Sequence, residues 1–356
     1  MAEKAGAART GLTRRGGLGR LLAFGLLTLA CLSATVAYAV FRIGGLGATA
    51  LPGAPQAADR DALESILTQP HLIFVDLSNP LRGRLGFAPL ISTDTGRLGT
   101  SMPCDRAYFS NGRGLCLGAQ EHYYGNRGVI DFDAQLQPVH AYANADGVCS
   151  RARVAPDGRM GSVTVFVAGD SYGAPFSTRD HLFDLSTGAD QGTLEEFIVY
   201  KDGALFQSPS FNFWGTTFAR DGQHFFATLA DGSVGSTTYL VQGDLVTREM
   251  RVLRTNVECP SLSPDETRLA FKERIQAPNE WRLAVLDLAT LQEMLVNESR
   301  SVDDQVEWLD DTHILYAMPR QATGTELGTD IWEASTRGDE TPRIYLTDAA
   351  SPSVVR

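Results

Sequence analysis

Residues 259–290 read CPSLSPDETRLAFKERIQAPNEWRLAVLDLAT, and this stretch contains one copy of a pattern that repeats along the chain. It passes through a Ser-Pro-Asp turn at 263–265, continues as the β-rich run 268–271, and ends with the run 283–290, which contains a further acidic turn. Apolar runs this short, bounded by turn residues, are typical of strands and not of helices. The stretch therefore predicts short strands that are joined by tight turns.

The same kind of turn recurs down the last three quarters of the chain. Such turns lie at 109–112, 154–158, 218–222, 262–266 and 308–311. Successive turns end 46, 64, 44 and 45 residues apart, which indicates that one four-stranded unit is repeated. Complete units begin near residues 102, 147, 208, 257 and 301.

The two ends of the repeat region supply a sixth unit. Residues 71–100 have the pattern of a unit without its first strand, and residues 351–356 have the pattern of that missing strand. We expect Val354 and Val355 to pair beside the strand around Phe74 and close a ring, because radial repetition buries the faces of each sheet and protects its edges. The predicted fold is an all-β, six-bladed β-propeller that is preceded by one transmembrane helix.

The first 42 residues differ in charge from the rest of the chain. They carry six basic side chains and one acidic side chain, a net charge of +5, whereas the whole chain has a net charge of -11. Residues 43–356 therefore hold -16. This acidity argues against a nucleic-acid-binding surface and favours a role in solubility.

An uncharged run of 21 residues lies between Arg20 and Arg42. A helix of about 20 apolar residues spans a bilayer, and basic residues on one flank keep that flank cytoplasmic. We therefore predict a single-pass cell-membrane protein with its N-terminus inside and the propeller outside. The alternative is a signal peptide that is cleaved near Ala39, which would give a secreted protein. The expected segments are a cytoplasmic basic tail at 1–20, a signal anchor at 21–41, a Gly/Ala/Pro-rich tether at 42–70 with a helix-prone stretch at 61–67, and the propeller at 71–356.

Four cysteines follow the predicted anchor. An even number in an exported domain favours disulfides, and four cysteines allow three pairings. Cys104 and Cys116 flank one predicted hairpin turn, so they are the preferred bridge. Cys149 and Cys259 either form a second bridge or remain buried thiols. None of the cysteine spacings is typical of a metal site.

The repeat resembles that of TolB-like β-propellers, whose WD-type units run Ser-Pro-Asp-Gly, an aliphatic strand, and Asp-Leu-x-Thr-Gly. Residues 263–271 with 287–290 match this pattern, residues 155–158 with 184–188 match it again, and residues 219–222 match it more loosely. With the predicted anchor, the chain is similar to membrane-anchored bacterial TolB-like proteins.

The resemblance implies an extracytoplasmic propeller that is a platform for protein contacts, within a cell-envelope complex in the parent family. This chain lacks the α/β domain that precedes the propeller in that family, which puts the translocation partners of the family in doubt. The resemblance supplies no catalytic residues.

One motif in the chain has the form of a catalytic serine. Residues 169–173 fit the Gly-x-Ser-x-Gly nucleophile elbow, which needs a strand before the serine and a helix after it. The residues that follow predict no helix, so we interpret the motif as a loop. The six histidines are scattered over different units without a close metal-ligand pair, and we predict no metal and no cofactor.

Charged residues cluster where the inner strands are expected to begin, near the axis of the propeller. Mixed charges around a funnel suit a ligand or a peptide, and the alternative is that they solvate the channel and pair with one another. The candidate binding residues are Arg151, Arg153, Asp303, Asp304 and Glu307.

The expected function is that of a monomeric, non-enzymatic binding platform for an envelope protein, peptide or glycan. The repeats fill the part of the chain after the tether and leave no room for a separate catalytic domain. The alternative is a metal-assisted small-molecule hydrolase or lactonase that uses the propeller funnel.

Overall fold

The computed structural model describes residues 24–26, 28, 33, 63–91, 96–121, 127–143, 145, 147–170, 172, 175–232, 235–276, 280–320 and 328–356. The chain divides into two compact units, Met1–Leu51 and Pro52–Arg356. Most of the predicted anchor at 21–41 and of the tether at 42–70 lies outside the described residues. Within the described ranges, no helix has the length and apolar character that a membrane crossing requires.

The second unit is a ring of six sheets, numbered here as blades one to six, whose strands pair antiparallel except for one parallel pair in blade four. Blade one begins with β1 (His71–Asp76), β2 (Arg84–Pro89) and β3 (Leu98–Pro103). Blade two is β4 (Arg106–Ser110), β5 (Arg113–Glu121), β6 (Arg127–Asp133) and β7 (Pro138–Tyr142). Blade three is β8 (Val148–Val154), β9 (Met160–Ala168), β10 (Ser177–Asp184) and β11 (Ala189–Thr193).

Blade four is preceded by a 3-10 helix (Leu194–Glu196), β12 (Ile198–Lys201) and β13 (Ala204–Phe206), and continues with β14 (Phe211–Phe218), β15 (His224–Asp231), β16 (Thr238–Asp244) and β17 (Glu249–Thr255). Blade five is β18 (Glu258–Leu262), β19 (Arg268–Gln276), β20 (Glu280–Asp287) and β21 (Glu293–Leu295). Blade six is β22 (Glu307–Trp308), β23 (His313–Pro319), β24 (Thr329–Ser335) and β25 (Arg343–Leu346). The last strand, β26 (Ala349–Val355), returns to blade one.

The predicted closure of the ring is confirmed. β26 pairs antiparallel with β1, with Leu72 opposite Val354 and Ile73 opposite Ser353. The Ser353 hydroxyl also accepts a hydrogen bond from the backbone N–H of Phe109 at 3.0 Å, which ties blade one to blade two. The final strand is therefore the inner strand of the first blade, as the repeat pattern predicts.

The repeated Asp turns form because the carboxylate accepts hydrogen bonds from the backbone just after it. In blade four, Asp221 accepts from the backbone N–H groups of Gln223 at 2.9 Å and His224 at 2.8 Å. In blade three, Gly158 has φ +75°, and a Cβ atom there would lie 2.8 Å from the carbonyl oxygen of Asn111. The turn at this position therefore requires glycine for both its backbone conformation and its packing.

Blade four departs from the four-stranded unit that the sequence predicts. β12 pairs in parallel with the outer strand β17, and β13 pairs with β12, so the sheet has six strands. This insertion accounts for the long spacing of 64 residues between two successive turns. Val199 and Leu194 of the insertion are buried in the core that blades three and four share.

The preferred disulfide is also confirmed, since Cys104 and Cys116 are bonded with their Cα atoms 5.5 Å apart. Cys149 and Cys259 are thiols, so the second bridge that the sequence left open is not formed. Cys259 is buried and Cys149 is partly exposed. Residues 63–67 are helical, which confirms the described part of the helix-prone stretch, and Leu63 and Ile66 are buried against blades one and two.

Candidate functional site

The six inner strands β26, β4, β8, β14, β18 and β22 each lie at one end of their sheet and surround the axis of the ring. We call the face where these strands begin the strand-start face. The opposite face, where β4, β8, β14, β18 and β22 lead into the repeated turns and β26 ends, is the turn face. Blades that are three apart in a six-membered ring, such as blades three and six, lie opposite each other across the axis. Contacts between such blades therefore cross the centre of the molecule.

A first cross-axis ion pair joins Arg151 of blade three to Asp303, which precedes β22 of blade six. The Nη2 atom of Arg151 lies 3.6 Å from Oδ1 of Asp303 and donates to the Asp303 carbonyl oxygen at 3.4 Å. Lys272 of blade five also contacts the Asp303 carboxylate through Nζ. The side chain of Lys272 is fully buried, whereas that of Asp303 is 41% exposed. Asp303 is therefore the solvent-facing end of a buried cationic cluster.

The charges in this cluster stabilise one another. Burial alone would raise the pKa of the Asp303 carboxyl. The positive charges of Lys272 and Arg151 have the larger combined effect and hold that pKa below its usual range. Burial lowers the pKa of Lys272, but Asp303, Cys259 and Glu258 together outweigh that effect, so the pKa of Lys272 is raised. The Lys272 ammonium also lies 5.1 Å from the ring centre of Tyr172 and 4.6 Å from that of Trp281, at cation–π distance. Both groups of the ion pair are therefore charged near neutral pH.

A second cross-axis pair lies deeper, towards the turn face. The Nη2 atom of Arg153 in blade three lies 3.8 Å from Oε2 of Glu307 in blade six and donates to the Val306 carbonyl oxygen at 2.7 Å. The Glu307 carboxylate accepts from the backbone N–H of Val354 at 3.1 Å and from the Tyr108 hydroxyl at 3.5 Å. Burial raises the pKa of Glu307, although Arg153 opposes that shift. Among the neighbouring groups, Arg153 therefore contributes most to the charged form of Glu307.

Asp304, the fifth predicted residue, is buried and stabilises the fold instead of forming an ion pair across the axis. Its side chain is buried and its Oδ2 atom accepts from the backbone N–H of Ala317 at 2.8 Å. The neighbouring Gln305 donates from Nε2 to the carbonyl oxygens of Gly215 in blade four at 3.1 Å and of Pro260 in blade five at 2.9 Å. These bonds fix the segment before β22 on the axis.

The structure therefore brings four of the five predicted residues together as two ion pairs, and it places them inside the ring instead of at its mouth, with Asp303 as the exposed exception. The sequence analysis missed Lys272 and Gln305. Lys272 lies in a β-rich run with no signal that its side chain is buried, and Gln305 has no distinguishing pattern around it.

A cavity of about 140 Å³ opens on the axis at the turn face. Arg153 and Glu307 lie at its wall, together with the exposed side chains of Arg220 and Arg356. All six inner strands contribute to the lining, one residue from each being Tyr108, Arg153, Thr217, Ser261, Glu307 and Val354.

The described part of the chain supports the loop interpretation of residues 169–173, although Ser171 itself lies outside the described residues. β10 begins at Ser177, so a strand and not a helix follows the motif. Among the residues that the structure describes, no group of three or more His, Cys, Asp or Glu side chains is arranged to hold a metal ion.

Comparison with known proteins identifies the fold. No family model and no curated protein matches the chain. Among solved structures, TolB from Acinetobacter baumannii is similar with a TM-score of 0.56 and 14% identity, over 81% of this chain and 67% of that one. A protein described as a candidate TolB from Agrobacterium tumefaciens has a TM-score of 0.47 and 11% identity, over 78% of this chain and 88% of that one.

An oligogalacturonate lyase from Vibrio parahaemolyticus has a TM-score of 0.42 and 13% identity, over 78% of this chain and 73% of that one. Identities this low show the fold alone. The resemblance that the repeat predicts is confirmed at that level, and the chain has a six-bladed β-propeller fold similar to that of TolB.

Proposed function

We propose that this protein is a single-pass membrane protein whose extracytoplasmic propeller is a rigid docking platform for an envelope protein, peptide or glycan. The observation that carries the proposal is the pair of cross-axis ion pairs, Arg151 with Asp303 and Arg153 with Glu307. They connect opposite blades through the centre of the ring, so the axis is filled with side chains at two levels. The surfaces available to a ligand are then the two faces of the ring.

Rigidity favours this role. A surface that is already ordered loses little conformational entropy when a partner binds, so more of the contact energy appears as affinity. The ring is fixed by the β26–β1 pairing, by the disulfide of Cys104 with Cys116, and by the cross-axis bonds. The strand pairing and the cross-axis bonds join segments that are distant in sequence, and the disulfide joins the β3–β4 connection to β5.

The uncharged run at 21–41 supports attachment to the membrane, with the basic tail in the cytoplasm. The mature protein provides the test. An intact N-terminal sequence in the membrane fraction would support the anchor, whereas a mature protein that begins near residue 40 would support secretion after cleavage.

The docking role is tested by capture of partners from cells. The full chain with an affinity tag at its N-terminus is cross-linked in its native membrane and purified, with the tagged fragment 1–70 as the control for capture by the anchor and tether. We expect a reproducible partner that the fragment does not capture. A full chain that captures only what the fragment captures would contradict the proposal.

A further inference from the structure

The insertion before blade four widens the sheet of that blade at the periphery of the ring. β12 pairs with β17, so the strand order is β13, β12, β17, β16, β15, β14. Near the turn-face ends of these outer strands, one side of the sheet forms a groove with a volume of about 430 Å³. Sites for small molecules are usually about 300–1,000 Å³. The groove is therefore large enough for a small ligand, and it lies away from the axis.

Three side chains lie side by side across the floor of the groove. Tyr200 is opposite Arg251 on the neighbouring strand, and Arg251 is opposite Gln242 on the strand after it. Neighbouring strands are about 4.8 Å apart, so this row spans about 10 Å. Arg251 donates through Nε to Oε1 of Gln242 at 3.0 Å, which holds the guanidinium beside the amide. The row therefore presents an aromatic ring, a guanidinium and an amide on one rigid surface.

A second row of polar side chains lies closer to the turns. Glu249 is opposite Asp244, and Asp244 is opposite His224. Nε2 of His224 lies 3.9 Å from Oδ2 of Asp244. The hydroxyl of Tyr200 lies 3.5 Å from Oε1 of Glu249, so the two rows are in contact. Hydrogen-bond donors and acceptors therefore surround the tyrosine ring.

The charges of the groove disfavour an ionic ligand. Two carboxylates, those of Asp244 and Glu249, line the groove together with one guanidinium, that of Arg251. The Asp221 carboxylate lies 2.6 Å from Nδ1 of His224 and adds a third acidic group beside the groove. These carboxylates repel an anion, and the guanidinium repels a cation. A neutral ligand that both donates and accepts hydrogen bonds avoids both costs.

The backbone of the floor is not available to an extended peptide. β12, β17 and β16 each pair with a strand on both sides. An extended peptide binds a sheet by adding a strand at its edge, and the outer edge of this sheet is β13. Ligands in the groove therefore contact side chains, which favours a molecule that bonds through hydroxyl groups.

We infer that this groove binds a neutral saccharide of one or two sugar rings, with one ring packed on Tyr200 and its hydroxyl groups bonded to Arg251 and Glu249. This inference rests on the proposed function and selects a glycan from the classes of partner named there. A sugar hydroxyl donates and accepts, which matches the mixed groups of the two rows. The C–H groups of a sugar ring are apolar, and tyrosine offers an apolar ring with a polar tip.

The test titrates neutral disaccharides against the full chain in micelles of a detergent without a sugar head group, since such a head group would compete. The probes are cellobiose, maltose, mannobiose and N,N′-diacetylchitobiose, and saturation-transfer NMR follows binding. We expect at least one of them to bind with a Kd of about 1 mM or lower. Its counterpart with the primary alcohols oxidised to carboxylates should bind about tenfold more weakly, because the added charges face Asp244 and Glu249.

Three variants locate the site. Tyr200→Ala should weaken binding about tenfold because the apolar ring face is lost, whereas Tyr200→Phe should keep the affinity within about threefold. Arg251→Gln should weaken binding about tenfold, because a hydrogen bond from a charged donor is lost. Arg343→Gln is the matched control, since Arg343 is likewise an exposed arginine on an outer strand, in blade six. The thermal midpoint of each variant, compared with that of the natural chain, shows whether the fold is intact.

Three results would overturn the inference: no binding of any of the four disaccharides, tighter binding of the oxidised counterpart, or equal loss of binding in Arg343→Gln. Heptapeptides selected on the natural chain that lose binding in Tyr200→Ala, with no saccharide bound, would also overturn it and assign the groove to a peptide.

The cross-linking experiment separates this failure from that of the proposed function. A protein partner that Tyr200→Ala and Arg251→Gln still capture at full yield, with no saccharide bound, contradicts the groove alone. A chain that captures no partner and binds no saccharide contradicts the docking role as well.

Discussion

Replacement of Arg153 by methionine should destabilise the propeller through Glu307. The variant removes the cross-axis guanidinium, its hydrogen bond to the Val306 carbonyl oxygen, and its contact with the Tyr108 ring, whose centre lies 4.4 Å away. Removing one partner of a buried ion pair costs about 3–5 kcal/mol. Because Glu307 keeps its hydrogen bonds from Val354 and Tyr108, we expect the lower end, about 3 kcal/mol.

A double-mutant cycle isolates the ion pair from the loss of packing. Glu307→Gln keeps an acceptor for the backbone N–H of Val354 but removes the charge. Arg153→Met should then cost only about 1–2 kcal/mol in this background, because no buried carboxylate loses its counter-ion. Guanidinium chloride unfolding measures each free energy, and Arg337→Met, an exposed arginine, is the control that should stay within about 0.5 kcal/mol.

The pH dependence has a defined sign. The pKa of Glu307 is raised in the folded protein by burial, so its contribution to stability is present at low pH and is lost as the pH rises through the folded-state pKa. Loss of Arg153 raises that pKa further, so Arg153→Met should be more destabilising at about pH 8 than at about pH 5. An equal cost of Arg153→Met in both Glu307 backgrounds, at either pH, would refute the cross-axis pair.

Three further predictions concern other parts of the ring. Replacing Cys104 and Cys116 by serine should lower the free energy of unfolding by about 3 kcal/mol, since the bridge closes a loop with a sequence separation of 12, and unfolding of the natural chain with and without reductant checks the value. Gly158→Ala should destabilise by about 1–2 kcal/mol more than Gly203→Ala, because both glycines have positive φ but only Gly158 would place a Cβ against backbone; equal costs in denaturant unfolding would contradict this. Burial raises the pKa of Glu195 to about 8, so stability should fall as the pH rises towards that value, and Glu195→Gln should flatten the profile; an unchanged slope would show that Glu195 does not titrate there.

The ring could be predicted because each blade repeats the same local chemistry. The Asp turns and short strands recur at similar intervals along the chain. The unit at 71–100 has no first strand of its own, and residues 351–356 have the pattern of that strand. The disulfide between Cys104 and Cys116 could be predicted because the two residues flank one predicted hairpin turn. These features depend on residues that are close in sequence or on the repeat itself.

Other features depend on contacts that no local pattern encodes. The ion pair of Arg151 with Asp303 joins residues about 150 positions apart in sequence. Whether these side chains pair or face solvent depends on the register of each inner strand within the ring, which the sequence does not specify. The parallel pairing of β12 with β17 could not be predicted, because the only sign of the insertion in the sequence is a longer spacing between two turns. Arg220 could not be recognised as part of the cavity lining, because all six inner strands are needed to form that cavity.

The pairing of β26 with β1 closes the ring, and an engineered disulfide between residues that lie opposite each other on these two strands tests it. Leu72 lies opposite Val354, and cross-strand neighbours have Cα atoms about 4.5–5.5 Å apart, which a disulfide can bridge. The double variant Leu72→Cys/Val354→Cys should form an intramolecular disulfide on oxidation, identified by mass spectrometry of the digested chain, whereas Leu72→Cys/Ser353→Cys, one residue out of register, should not. Absence of the first cross-link under conditions that preserve the bond of Cys104 with Cys116, or its formation only between chains, would contradict a closed ring.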